Sequence, residues 1–561
     1  MNQPTPAIVA QDAVRRLPRV ALLLFCLAYV VPGFVGRGPW KSQDITGFGY
    51  MFELARGSAS WMSPTLLGHP PEFDALLPYW LGAWAMRIAP SWIAPDFAAR
   101  IPFILLLAVT LAATWYAVYY LARSPQAQPV QFAFGGEASP TDYARAIADG
   151  GLLALMACLG LAQFSHETTP SLAQLAFTAL AFFGIAAMRY RPWHAFAGLL
   201  VGLVGLALSG GPSIAILFAL GGILVLVLDR HPDPAVVLHP AVRTALVAAA
   251  MLVAAAVATA LDLWQWRLGH RIPHEARTLL RLLVWFTWPA WPLAIWTLWR
   301  WRRQLTSRHV ALPLWFVVVA IATTVLTTSS DRSLLLALPA LAALAAFALP
   351  TFSRSAAALI DWFSLLFFSA CAITIWVIWL SLHTGIPAKP AQNVARLAPG
   401  FVPSFSLTAL VVALLGTLAW AWLVRWRTGR HPQVIWKSLV LPASGTALCW
   451  LLLMTLWLPA LDYARSYTPL VHNVRDVVNR EGCVEELGLT RAQVAAFIYH
   501  GGMDLRHAGS EPQCPWLLVA APVQPAAHVS IDLRHWREIA NVHRPSDKDE
   551  NVIVYRRADS R

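Results

Sequence analysis

Lys41-Ser42-Gln43-Asp44, then Gly57, Trp61 and Pro64, then Gly68-His69-Pro70, and finally Tyr79-Trp80 mark the stretch on which the reading of this chain turns. A strongly apolar run, roughly 19–36, precedes it. A lone carboxylate just beyond a membrane span, followed by short amphipathic pieces rich in aromatics, suits chemistry at a lipid–water interface. Asp44 can face water there while the aromatic rings settle among headgroups.

The rest of the chain supports a membrane setting. Its 561 residues are 58% hydrophobic and 13% charged, whereas soluble domains carry about 25% charged residues. A polytopic α-helical membrane protein is therefore expected. The net charge of +13 does not indicate nucleic acid, because the basic residues fall between apolar runs as the positive-inside rule requires of cytoplasmic loops. A span needs ~20 apolar residues, and about thirteen segments qualify: 19–36, 101–122, 148–164, 171–188, 194–208, 213–228, 244–262, 279–299, 311–328, 334–350, 358–382, 404–424 and 437–459. This register puts Arg189 and Arg191, Arg230 and Arg243, Arg300 to Arg308, and Arg425 to Arg430 on one side. The short loops 164–170 and 209–212, on the other side, hold no Lys or Arg. Arg15, Arg16 and Arg19 precede the first span without a small-x-small cleavage site, so a retained span with a cytoplasmic N-terminus fits better than a signal peptide.

Two domains are expected, 1–460 in the membrane and 461–561 outside it. Residues 37–100 form the first outer loop, and 123–147 read as a flexible cytoplasmic insertion. From about 461 the pattern changes. Residues 466–480 and 491–500 have helical spacing, while Pro515 to Ala521 and Asn551 to Tyr555 read as strands, which makes a small α/β domain. Cys26, Cys158, Cys371 and Cys449 lie inside apolar segments and pack as small hydrophobes. Cys483 and Cys514 lie in the hydrophilic part, where an extracytoplasmic location favours a disulfide, although spacing alone leaves two free thiols open.

The Asp44 to Trp80 stretch resembles the first outer loop of the GT-C glycosyltransferases that use polyprenyl-phosphate sugars, in particular the branch of lipid A aminoarabinose transferases and protein O-mannosyltransferases. Asp44, Gly57, Trp61, Pro64, Gly68, Pro70, Tyr79 and Trp80 carry the resemblance. The family's central Glu-Lys-Pro-Pro is replaced by Phe73, Asp74, Ala75 and Leu76. Leu208 to Pro212 resembles its Thr-Lys-Gly-Pro turn with Gly210 at the lysine position. The resemblance implies a GT-C fold in which 76–93, despite its apolarity, is an interfacial or re-entrant helix and the C-terminal domain caps the site.

Transfer from a polyprenyl-phosphate sugar needs a base for the acceptor and positive groups around the departing phosphate. Because that phosphate is already a weak base, one carboxylate suffices for an inverting displacement. Asp44 is the expected base, with helix capping as its structural alternative. Glu167 matches a family acidic position and is the second catalytic candidate, with His166 as its partner. The alternative is that Glu167 to Thr169 simply open a helix with Pro170 in its first turn. A His-Glu pair alone assigns no metal, so a divalent ion is permitted and no cofactor is assigned. Arg332 sits where the family has a basic residue. With Arg271 and Arg277, from a basic loop cluster that also includes Arg267, His270 and His274, it is expected to hold the donor phosphate. Contact with anionic headgroups is the other reading of the cluster. Tyr79 and Trp80, with His166, are expected to position the acceptor.

The resulting expectation is a monomeric inner-membrane enzyme of lipid A or cell-envelope glycan modification. Its donor would be a polyprenyl-phosphate sugar and its acceptor a lipid or glycan, with membrane lipids around it and no nucleic acid. A non-catalytic GT-C scaffold or a lipid-linked-sugar transporter is the alternative. Transporters place ionisable groups at mid-span, whereas here they gather in the outer loops.

Overall fold

A computed structural model describes residues 5–72, 74–229, 233, 235–264, 273–326, 331–428, 434–478, 482–509, 511–520 and 535–558. Each of the thirteen expected apolar segments overlaps helix among the described residues. Eight helical stretches among the described residues are long and apolar enough to cross a membrane, and Arg19–Val30, Pro192–Leu208 and Pro212–Leu228 are shorter apolar helices. The helices opening at Pro95, Pro140, Pro170, Pro192, Pro212 and Pro240 each start on proline. Its fixed φ suits the first turn, and its missing N–H costs nothing where that donor has no intrahelical partner. The protein is a polytopic helical membrane protein with a small sheet region near its C-terminus.

Two boundaries differ from the sequence reading. Residues 140–147 belong to the Pro140–Ala157 helix and not to an insertion. Ser139 caps it by accepting from the Asp142 N–H, while Asp142, Arg145 and Asp149 lower its hydropathy. The preceding segment is tied to the N-terminus, with Val130 and Ala138 N–H groups donating to the Ala7 and Val9 carbonyls at 2.9 and 3.0 Å. This helix breaks at Cys158 and resumes as Leu159–Phe164. The segment 279–299 is likewise split, into Pro273–Phe286 and Ala290–Arg300.

Packing separates inner from lipid-facing spans. The Arg332–Thr351 window is 94% buried and the Leu407–Arg427 window only 11%. The first is rich in alanine (Ala340, Ala342, Ala343, Ala345, Ala346), and small side chains let backbones approach closely where lipid offers no hydrophobic drive. Leu77–Ile88, the apolar piece after the first loop, has 12 residues. At ~1.5 Å per residue it reaches about 18 Å, too short to cross a ~30 Å core. It packs on the Gln43–Arg56 helix, as an interfacial pair would.

After helices Leu458–Arg465 and Thr468–Val477 comes a five-stranded sheet: β1 (Val484–Leu487), β2 (Leu505–His507), β3 (Trp516–Ala520), β4 (Trp536–Arg544) and β5 (Asp547–Arg557), in the order β2-β1-β3-β5-β4. β1 runs parallel to β2 because the Arg491–Tyr499 helix makes the crossover. That helix is set by a capping box between Thr490 and Gln493. Leu517 and Val519 face a small cluster with Trp536, Ile553 and Tyr555, whereas Trp516 and Leu518 face the main core. This is the alternation a two-faced strand requires.

A disulfide joins Cys483 and Cys514 across 31 residues, tying the entry of β1 to that of β3. A loop of that length loses about 3.7 kcal/mol of unfolded-state entropy on closure. Cys483→Ser should therefore lower the stability of the sheet region by ~3–4 kcal/mol. Urea-dependent protease cleavage of this region in detergent-solubilised protein measures the shift, and the helical bundle should be unaffected.

Candidate functional site

Asp44 lies in the first turn of the Gln43–Arg56 helix, where the helix dipole favours an anion. Gly47, one turn on, lets this helix approach the 165–169 loop. A Cβ there would stand 2.6 Å from the Thr168 carbonyl oxygen. Through that approach the Thr168 N–H and hydroxyl both donate to Asp44 Oδ1, at 2.7 and 2.6 Å. Oδ2 accepts from Arg37 Nη1 at 2.6 Å and from the Trp40 N–H at 3.1 Å. The carboxylate is 1% exposed. Burial pushes its pKa up, but Arg37, Arg100 and the Thr168 bonds outweigh burial and hold it down at about 2.

Arg37 is the hub of this arrangement and is itself buried. It donates to the Gly33 and Gly38 carbonyls, to Asp44, and through Nη2 to the His166 carbonyl at 2.6 Å. The end of the first span, the first outer loop and the 165–169 loop are thereby fastened at one guanidinium. Arg100 braces the same point from below, donating to the Phe34 and Arg37 carbonyls and pairing with Asp96.

Glu167 sits beside Thr168 and forms a two-pronged ion pair with Arg332, Nε to Oε2 at 2.6 Å and Nη2 to Oε1 at 2.9 Å. Burial raises the Glu167 pKa, and Arg332 only partly offsets it. The Arg332 guanidinium also lies over the Phe164 ring at 4.8 Å. Asp44, Glu167 and Arg332 thus share one site. The helix-start alternative holds alongside it, since the next helix does begin at Pro170.

His166 is buried, with ring nitrogens 2.8 and 3.0 Å from the Ala162 and Tyr29 carbonyls and its ring against Trp450. Burial holds its pKa down at about 4. It shapes the loop from behind and has no open face for an acceptor or a metal. Trp80 donates to the Trp61 carbonyl at 2.7 Å and so pins the loop. Tyr79 lines a cavity of about 270 Å³ with Ser42, Thr46, Glu72, Arg491 and Glu550. Asp44 does not line it; its carboxylate faces Arg37 and Thr168 on the inner side of the helix. Arg271 lies outside the described residues, as does the side chain of Arg277.

Three participants escaped the sequence reading. Arg37 is a lone arginine between two glycines at a span end, a signal available in principle. Arg100 opens the second span. Arg465, at the end of Leu458–Arg465, is exposed and stacks on Trp40 at 5.3 Å, within electrostatic reach of Glu167, Arg37 and Arg332. The positions that replace the two family lysines are neighbours. A Cβ on Gly210 would stand 3.6 Å from the Asp74 carbonyl oxygen, and the Leu76 N–H bonds the Leu208 carbonyl at 2.8 Å. Gly210 has φ +87°, so a lysine there would be strained.

Lys41 ties the first loop to the C-terminal domain through Asp547 and Glu550, at 3.0 and 2.9 Å. Glu72 pairs with Arg491 at 3.2 Å, and Phe48 packs against Tyr499 with centroids 4.6 Å apart. The domain therefore sits over the loop that carries Asp44.

No protein-family model and no curated protein sequence matches the chain. Among solved structures it is similar to ArnT of Cupriavidus metallidurans bound to undecaprenyl phosphate, with 13% identity, TM-score 0.64, and coverage of 97% of this chain and 99% of that one. It is also similar to ArnT of the same organism in the apo state, with 12% identity, TM-score 0.59, and coverage of 96% of each chain. The GT-C membrane fold is shared along the full length.

Proposed function

We propose that this chain is an inner-membrane glycosyltransferase that moves a monosaccharide from a polyprenyl-phosphate donor to a lipid or glycan acceptor at the extracytoplasmic face, with inversion at the sugar carbon. One observation carries the reading. Two buried carboxylates and a set of arginines from separate outer loops converge in a fold like that of an enzyme bound to undecaprenyl phosphate. Asp44 is the base in this scheme. Held at about 2, it is deprotonated at any working pH. Its weak basicity suits a reaction whose leaving group departs as a phosphate and which calls for proton removal only late. Arg332 and the exposed Arg465 hold that phosphate, taking the place of the absent lysines. Glu167 orients Arg332. The N-terminus is cytoplasmic, and the C-terminal domain is extracytoplasmic.

A non-catalytic scaffold has one observation in its favour: Asp44 is fully bonded and Glu167 and Arg332 neutralise each other. Lipid mass spectrometry separates the two readings. A strain lacking the chain should lose one species heavier than its precursor by a single monosaccharide, and re-expression should restore it. Identical lipid and glycan profiles with and without the chain, together with no consumption of polyprenyl-phosphate sugars by membranes containing it, would reject the transferase.

A further inference from the structure

Away from this site, the first outer loop meets the sheet at a cluster that sugar transfer does not use. Residues 66–69 form a tight turn closed by two backbone bonds of 3.0 Å between Leu66 and His69. Both central residues have positive φ, Leu67 at +49° and Gly68 at +77°. For leucine this is a conformation that bulky side chains avoid, and Pro70 and Pro71 then stiffen the exit. The turn holds the exposed His69 against His507 on β2, with ring centroids 4.8 Å apart and planes at 86°.

His507 faces an oxygen at each ring nitrogen. Nδ1 lies 2.6 Å from Glu486 Oε1, and Nε2 lies 2.6 Å from the Leu67 carbonyl oxygen. Glu486, on β1, is buried, and its other oxygen accepts from the Leu489 N–H at 3.2 Å. Ligand atoms of His69, Glu486 and His507 all lie within 4.8 Å of one another. Two imidazoles and a carboxylate are a zinc donor set, and bonds of ~2.0–2.2 Å place tetrahedral ligands about 3.3 Å apart. To reach that spacing the exposed His69 ring must turn toward Glu486 and His507, whose own 2.6 Å contact must open.

We propose that His69, Glu486 and His507 bind a zinc ion that clamps the first outer loop to the C-terminal sheet domain. Two ligands come from adjacent parallel strands and one from the loop, so the ion bridges segments more than four hundred residues apart in sequence. The clamp does not depend on the chain being a transferase, and its test reads metal and stability, not turnover.

The test uses the full chain in detergent, stripped with a chelator, desalted, and re-equilibrated with zinc chloride or with magnesium chloride. Elemental analysis should find about one zinc and no magnesium per chain, and zinc should raise the thermal transition of the C-terminal domain. His69→Ala and His507→Gln should each weaken zinc retention by more than ~100-fold, since loss of even outer-shell partners costs 10–100-fold. His69 is exposed on a turn, so its variant reports on binding without threatening the fold. Failure of the wild-type chain to retain zinc, or equal retention by His69→Ala, would overturn the clamp.

Discussion

Asp44→Asn should lower sugar transfer by about 10²–10⁴-fold, the range general-base catalysis supplies. The substitution does more than remove a base. Asparagine places an amide N–H₂ where Oδ2 accepts from Arg37 and Trp40, so donors face donors and the buried guanidinium loses its counter-charge. Breaking such a pair costs ~3–5 kcal/mol, and a melting curve must accompany every activity measurement on this variant. The acid limb of the wild-type kcat/KM profile distinguishes a base from a merely structural carboxylate. With the Asp44 pKa held at about 2, a rate set by Asp44 stays flat down to about pH 4 and falls only toward pH 2. The Glu167 pKa is raised above the ordinary value, so a limb lying above the usual carboxylate range would transfer the role to Glu167. Stability follows the same sign. A depressed carboxylate stabilises the fold above its unfolded pKa of 3.8. Asp44 therefore contributes about 2 kcal/mol at neutral pH, which is lost as pH falls through its folded value.

Arg332→Ala should reduce kcat/KM for the donor by about 10²–10³-fold, comparable with deleting one preorganised contact to developing charge. The effect should be concentrated in the donor KM. Arg332 is occupied by Glu167 in a fork-to-carboxylate pair. A donor phosphate must compete with that carboxylate, which resembles it in charge and in spacing of oxygens. Two functions are therefore superimposed in one arginine: neutralising a buried acid and gripping a ligand. The double variant Arg332→Ala/Glu167→Gln separates them. If neutralisation were the whole role, removing both charges would restore donor turnover to within about tenfold of Glu167→Gln alone, and phosphate binding would be rejected. Arg332→Lys keeps the charge but loses the planar fork, so an intermediate KM is expected.

The spans were legible because lipid imposes a length and an apolarity that few other structures satisfy, and each predicted segment overlaps helix. Their edges were less so. Pro140–Ala157 carries Asp142, Arg145 and Asp149 inside helical geometry, and hydropathy counts those charges against it. In the outer loops, Asp44, Glu167 and Arg332 were identifiable individually, through local residue types and a family resemblance. Their partners were not. That Arg37 folds back onto Asp44 depends on the chain's path through Gly38 and Trp40, and that Arg465 stacks on Trp40 depends on the placement of a distant domain. Neither leaves a periodic or spacing signal. His166 shows the converse. Its residue type suggested chemistry, yet two carbonyls and a tryptophan ring occupy it completely.

The ion pairs from Lys41 to Asp547 and Glu550 span more than five hundred positions of the polypeptide. Lys41 finds these counterparts only once β5 has been made, so the loop after the first helix waits for that strand. A chain truncated within β5 would keep its membrane helices and lose the tie that holds the first loop to the sheet.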